Sequence, residues 1–153
     1  MVSVTVDEAR PDDVPRLLEI RYAAFARHAP AAYSPEEVAT LLADVSEDEL
    51  RDMIAHYQLF TARTADGTVV GLAGWKDANL RHVYVDPAWT RRGLATQLLR
   101  HVETDFRTRT GATEIKAGVA LHAEPFYRAR GYRLIRRAQN WDGSTYLEMT
   151  RDL

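Results

Sequence analysis

The stretch Val83-Tyr84-Val85-Asp86-Pro87-Ala88-Trp89-Thr90-Arg91-Arg92-Gly93-Leu94-Ala95-Thr96 constrains the fold more than any other part of the chain. Its β-branched start reads as a strand, Asp86-Pro87 stops that strand, and a short loop runs straight into a helix. The helix is expected to begin at Thr90 or Arg91 and to stack Leu94, Leu98, Val102 and Phe106 on one face, with Gly111 closing it. Gly93 and Ala95 keep its first turn small. The opening N–H groups of a helix have no internal partners, and the aligned dipole adds partial positive charge there. Small residues let phosphate oxygens approach that backbone, and Arg91 and Arg92 add charge and donors. The segment is therefore a candidate diphosphate cradle that uses no metal. An isolated Arg-Arg-Gly turn is commonly an ordinary surface loop, so the strand–loop–helix context carries the inference.

Around this segment the chain alternates between strand and helix patterns. Val2–Val6 alternates as a strand. Asp12 or Asp13 is expected to cap a helix that buries Leu17, Leu18, Tyr22 and Phe25, with Pro15 in its first turn. Ser34-Pro35-Glu36-Glu37 has the spacing of a capping box with proline at the first helical position. Ser46 and Glu49 repeat that box and open a third helix to about His56. Leu59–Ala62 and Val69–Trp75 flank the hairpin turn Asp66-Gly67, and Leu80–Val85 follows. After the long helix come a strand at Glu114–Val119, a short helix from Glu124 to Arg130, and strands near Tyr132–Arg136 and Thr145–Met149. The order β-α-α-α-β-β-β-α-β-α-β-β predicts a mixed α/β domain with a largely antiparallel sheet. With 153 residues and no linker, repeat or low-complexity tract, residues 1–153 are expected to form one domain.

Composition excludes several classes. There is no cysteine, so disulfides, thiolate metal sites and cysteine nucleophiles are ruled out. No apolar run approaches the roughly 20 residues of a membrane helix, and the first residues lack the pattern of a signal peptide. A cytoplasmic protein without a membrane partner is the expectation. The formal charge of −2 conceals two unlike halves. Residues 1–60 carry twelve Asp/Glu against five Arg, whereas residues 61–153 carry ten against fifteen Lys/Arg. Such a split suits an anionic ligand on the second half and a cationic one near the first, although solvated helix faces would produce it too. A pI of about 6.2 with scattered arginines argues against a nucleic-acid partner.

Two motifs sharpen this picture. Thr90-Arg91-Arg92-Gly93-Leu94-Ala95 resembles motif A of the GNAT superfamily of N-acetyltransferases, whose signature is Gln/Arg-x-x-Gly-x-Gly/Ala. Ala123-Glu124-Pro125-Phe126-Tyr127-Arg128-Ala129-Arg130-Gly131-Tyr132 resembles the second hallmark, Ala-x-x-Phe-Tyr-x-x-x-Gly-Phe. Both stand in the family's order, and the element order matches the family over nearly the whole chain. Two departures stand out. Thr90 replaces the usual Gln or Arg and could serve as the helix N-cap, and Ala120 stands where many members carry Asn.

The resemblance implies an acyl-CoA N-acyltransferase fold: a mostly antiparallel central sheet with one splayed parallel pair, Leu80–Val85 and Glu114–Val119, between flanking helices. It implies acetyl-CoA as acyl donor, held by Arg91, Arg92, Gly93, Leu94, Ala95 and Thr96, with the pantetheine arm pairing to the backbone of Val83 and Val85. It further implies direct attack by a primary amine, with the Val83 N–H as oxyanion donor and Tyr127 protonating the departing sulfur. Tyr127 and the two valines could equally be core residues.

The base and the acceptor are less determined. His82, on the cofactor strand, and His122, at the corner before Tyr127, are candidate bases, with a water chain as the alternative. Tyr33, Trp75 and the Gln139–Ser144 loop are candidate acceptor contacts; both aromatics could instead be core. A small-molecule amine is the first expectation for the acceptor. A protein N-terminus, a lysine or an aminoacyl-tRNA is the second, and a non-catalytic acyl-CoA sensor is the rival from another class. The chain is expected to act as a monomer or homodimer.

Overall fold

The computed structural model describes residues 3–153. Strand β1 (Val4–Glu8) passes through a 3-10 turn into helix α1 (Val14–His28), followed by α2 (Pro35–Ala43) and α3 (Glu47–Ala55). Strands β2 (Leu59–Thr64), β3 (Val69–Lys76) and β4 (Asn79–Val85) come next. Helix α4 (Leu94–Thr110), β5 (Glu114–Ala120), α5 (Glu124–Ala129), β6 (Arg133–Gln139) and β7 (Thr145–Asp152) complete the chain. This is the expected order of elements. The expected start of the first strand at Val2 lies outside the described residues.

The strands form one sheet in the order β1-β2-β3-β4-β5-β7-β6. Neighbours pair antiparallel except β4 and β5, which run parallel and touch only at Asn79↔Lys116 and Leu80↔Ala117. Beyond Leu80 the two strands part, so the expected splayed pair is present.

Helix α4 covers one face of the sheet. Its Leu94, Leu98, Val102 and Phe106 are buried against Val70, Val85, Ile115 and Val119. The sheet admits it closely because Gly71 has no side chain; a Cβ there would lie 2.9 Å from Leu98 Cδ1. Truncating Phe106 to alanine would cost about 3–5 kcal/mol by the usual behaviour of buried aromatics. The other face is covered by α1 and α3, whose Leu17, Ile20, Leu50 and Met53 meet Leu59, Val69 and Leu72. Both faces being buried, β3 is apolar almost throughout.

Several local expectations need correction. Helix α4 begins at Leu94, not at Thr90 or Arg91, because Arg91 and Gly93 both take left-handed backbone angles, with φ of 64° and 75°. Thr90 is accordingly not the N-cap; its hydroxyl donates to Pro87 O at 3.1 Å and closes the preceding turn. Asp13 sits before α1 but makes no side-chain cap; its Oδ2 accepts from Arg10 N and Arg63 Nη2 instead. Tyr22 points outward at 59% exposure, since the buried stripe of α1 runs through Val14, Leu17, Ile20 and Ala24. The Ser34 capping box is complete, with Glu37 returning to Ser34 N. At Ser46 only half the box forms: Ser46 Oγ accepts from Glu49 N, while the Glu49 carboxylate turns away into the interior.

Among the described residues no helix is long and apolar enough to cross a membrane, and no three His, Asp or Glu side chains are grouped to hold a metal ion.

Candidate active site

The gap between β4 and β5 divides the site into two halves. Its β4 edge is backbone. Asp86 N–H bonds across to Val70 O on β3 at 2.8 Å, and Leu72 pairs with Tyr84. Strand alternation therefore turns the amides of Val83 and Val85 away from β3, toward the gap. The β3–β4 register also slips between Leu72 and Gly74, and His82 takes a left-handed φ of 60°. This bulge puts two consecutive side chains, Arg81 and His82, on the α1–α3 face, while Leu80, Val83 and Val85 pack on the α4 face.

At the end of β4 the chain reaches the turn before α4. Asp86 anchors that turn through Arg16 Nη2 at 2.6 Å and Ala88 N at 2.9 Å. The first helical bond is Gln97 N–H to Gly93 O at 3.0 Å, which leaves the N–H groups of Leu94, Ala95 and Thr96 without helical acceptors. Gly93 is exposed, and a Cβ placed on it would meet nothing within 4 Å, so the approach to these amides is open. Left-handed residues at Arg91 and Gly93 flank Arg92, a backbone pattern that gathers N–H groups into an anion-binding concavity. Arg91 and Arg92 are exposed beside it, Arg92 resting over the Trp89 ring at 4.5 Å. The expected cradle residues are thus brought together. Leu94 contributes backbone only, since its side chain is core, and the Thr96 hydroxyl is committed to Arg130 Nε at 2.7 Å. These residues fit a diphosphate.

Helix α5 is held against this turn by two networks. Arg130 ties to Thr96 and lies 3.9 Å over the Phe126 ring. Tyr132 donates to Glu103 Oε2 at 2.7 Å, and that buried carboxylate also accepts from Arg100 and Arg151. Between them Tyr127 stacks edge-on against Phe126 and Tyr132. Among the described residues no hydrogen bond engages its hydroxyl. Burial pushes the Tyr127 phenol well above its ordinary value, with the Tyr84 ring a smaller cause in the same direction. It therefore stays protonated at neutral pH.

The other half is a cleft of about 740 Å³ on the α1–α3 face. Its floor is Arg81, His82 and Tyr84 of β4 with Lys116, Gly118 and Ala120 of β5, and its walls include Arg21, Phe25 and Glu49. Trp141, from the loop between β6 and β7, closes one side by donating to Asp44 Oδ2 at 3.1 Å. Tyr33 lines the cleft as expected, but its hydroxyl is occupied, donating to Thr145 O and accepting from Leu121 N.

The structure separates the other expected residues. Trp75 does not reach the cleft: it packs on the α4 face against Phe106 and donates to Asp105. His122 is wedged between Phe25 and Tyr33 and is not part of the cleft lining. Burial lowers its pKa. His82 does line the cleft. Arg21 Nε can only donate, so His82 Nδ1 accepts at 3.0 Å, and Nε2 carries the proton that faces Glu49 Oε1 at 2.7 Å. Burial lowers the His82 pKa against the opposing pull of Glu49, and its free lone pair is taken by Arg21. The bond from His82 holds the Glu49 carboxyl at about 2. Sequence does not single out Arg21, and its spacing marks Glu49 only as a capping residue, a role the Glu49 side chain does not fill.

Comparison with known proteins agrees with this geometry. Residues 30–153 match the acetyltransferase (GNAT) domain family. The uncharacterized N-acetyltransferase YafP of Escherichia coli (strain K12) is 23% identical over 137 residues, covering 90% of this chain and 86% of that protein. A GCN5-related N-acetyltransferase from Rhodopseudomonas palustris superposes with a TM-score of 0.85 at 24% identity, over 100% of this chain and 98% of its own. The PaiA N-acetyltransferase of Thermoplasma acidophilum, solved in complex with coenzyme A, superposes with a TM-score of 0.77 at 18% identity over 99% of both chains. With the match extending over most of its length, the chain belongs to the GNAT acetyltransferase family.

Proposed function

We propose that this acetyltransferase moves the acetyl group of acetyl-CoA onto the primary amine of a small molecule, which attacks directly. The observation that carries the reading is the β4–β5 gap. Its free amide edge runs from the open turn at Gly93 to the cleft. The turn from Arg91 to Thr96 would hold the diphosphate, and Val83 and Val85 would pair with the pantetheine arm as an added strand does. Acetyl-CoA bound there supplies an activated carbonyl on a thiol leaving group.

The chain's own groups then have separate tasks. The Val83 N–H faces the charge that develops on the carbonyl oxygen, a role worth about 3 kcal/mol. The Tyr127 hydroxyl, protonated and free of protein partners, delivers a proton to the departing sulfur. His82 does not act as base, since its acceptor nitrogen is occupied, and Glu49 at about 2 is too weak a base to take an ammonium proton. The amine proton leaves through water in the cleft.

A cleft of about 740 Å³ lies in the size range of small-molecule sites, and the Trp141–Asp44 contact closes one side of it. The test is thiol release from acetyl-CoA over a panel of primary amines, corrected for hydrolysis, with wild type and Tyr127→Phe. Amine-dependent release that falls in the variant is expected. Coenzyme A binding without turnover on any amine would favour an acyl-CoA sensor and overturn the proposal.

A further inference from the structure

The charged groups of the cleft are divided in an uneven way. Three acidic and three basic side chains line it, so a net-neutral ligand matches its formal charge. The acids already have partners. Glu49 Oε1 is met by His82 and Arg81, both oxygens of Glu148 by Arg136, and Asp44 by Trp141. The bases are left with unused donors. Among the described residues Lys116 Nζ has neither an ion pair nor a hydrogen bond. Arg81 Nε is buried without any partner, and Arg21 uses only its Nε.

Their placement follows from the strands. Ile115 and Ala117 are buried under α4, so Lys116 between them projects from the opposite face, into the cleft. Leu80 is buried on that same α4 side, and Arg81 after it turns to the cleft. Since Asn79 pairs with Lys116 and Leu80 with Ala117, the two cations are diagonal neighbours where the strands still touch. Gly118, next on the cleft side of β5, presents no side chain there. Val83, the proposed place of reaction, lies two residues beyond Arg81 on β4, or about 6 Å along the strand. Arg81 Nε is sealed from the cleft, so a ligand would meet this guanidinium at Nη2, which makes no hydrogen bond among the described residues.

We infer that the acceptor is an amino acid or a similarly short zwitterion, whose carboxylate is received by Lys116 and Arg81 within a few bonds of the reacting amine. This rests on the acetyl transfer proposed above and names its substrate class. A plain cationic amine would leave Lys116 and the unused donors of Arg21 and Arg81 unmatched and would be repelled by them. A dianion such as a phosphate would exceed the balance of three against three.

The experiment compares matched acceptors: an amino acid, the amine formed by removing its carboxyl group, and the aminophosphonate of the same skeleton. Across several side chains, kcat/KM is expected to be at least ~10-fold higher for the amino acid than for the amine, as one charge-assisted contact allows. Lys116→Met, at an exposed position, should reduce that ratio several-fold, Arg81 holding the remainder. Turnover of amines without regard to the carboxylate, or a ratio unchanged in Lys116→Met, overturns the inference and leaves the acetyl transfer intact. Preference for the aminophosphonate overturns the carboxylate assignment. No turnover of any acceptor, with coenzyme A still protecting the protein from melting, overturns the acetyl transfer and this inference with it.

Discussion

The two sides of the β4–β5 gap are made of different material. The donor side is backbone: the free edge of Val83 and Val85, then the unpartnered amides from Leu94 to Thr96, all from one continuous stretch of chain. The acceptor side is side chains, drawn from α1, α2, α3, the strands β4 to β7 and the loop before β7, and held by contacts such as Arg21–His82–Glu49. Backbone recognition depends on the conformation of a few residues and tolerates change in their side chains. Side-chain recognition depends on each residue and on the remote packing that aims it. Substitutions should therefore separate the halves cleanly.

The largest effect is expected at Gly93. Valine there would have to adopt a φ of 75°, unfavourable for a β-branched residue, and would fill the open approach to the helix amides. Loss of two charge-assisted bonds corresponds to about 3 kcal/mol or more, so kcat/KM for acetyl-CoA should fall by at least ~100-fold. KM for the amine should barely move; a parallel rise in both constants would show that the halves are not independent. Next is Tyr127→Phe. Removing a positioned acid costs about 100-fold in kcat, while coenzyme A affinity is retained because the ring still packs between Phe126 and Tyr132. An unchanged kcat would remove Tyr127 from the chemistry.

The same contrast explains what could be seen in advance. The donor side was legible because its determinants are local: a β-branched run, Asp86-Pro87, a glycine and the four-residue spacing of Leu94, Leu98 and Val102. Even there the sequence pattern puts the helix start three or four residues early, since a non-glycine residue such as Arg91 at positive φ leaves no mark in sequence. The bulge that turns Arg81 and His82 to one face is equally silent. On the acceptor side the pattern misled. Glu49 carries a capping spacing, yet its carboxylate meets His82, 33 residues away. Trp75 lies on a strand buried on both faces, where alternation shows that two faces exist but not which helix covers each.

The next effect concerns Glu49 and pH. Its folded pKa of about 2 lies below the unfolded value near 4.5, so the stabilisation is complete above 4.5 and is lost as pH falls toward 2. His82, also depressed, adds to acid sensitivity below its unfolded value of 6.5, because the unfolded chain takes that proton first. Glu49→Gln keeps an acceptor for His82 Nε2 but removes the charge. It should cost about 2 kcal/mol at neutral pH once partial exposure is allowed for, and flatten the decline in melting temperature between 4.5 and 2. An unaltered pH profile would mean that the carboxylate does not hold the acceptor side together.

The smallest effect tests remote support. Ser34 caps α2, the helix that carries Leu41 to the cleft wall and ends at Asp44, the partner of Trp141. Ser34→Ala removes one bond of the capping box and should lower stability by about 1 kcal/mol in denaturant melts. Among the described residues α2 packs with Phe25, Ala29 and Tyr33 on the acceptor side, so KM for acetyl-CoA should stay constant. Loosening of α2 should instead release the Trp141–Asp44 contact more often, raising KM for the amine by two- to threefold, about 0.5 kcal/mol. If both KM values rose together, the acceptor wall and the donor turn would have to be one cooperative unit, and the division between a backbone-built and a side-chain-built half would fail.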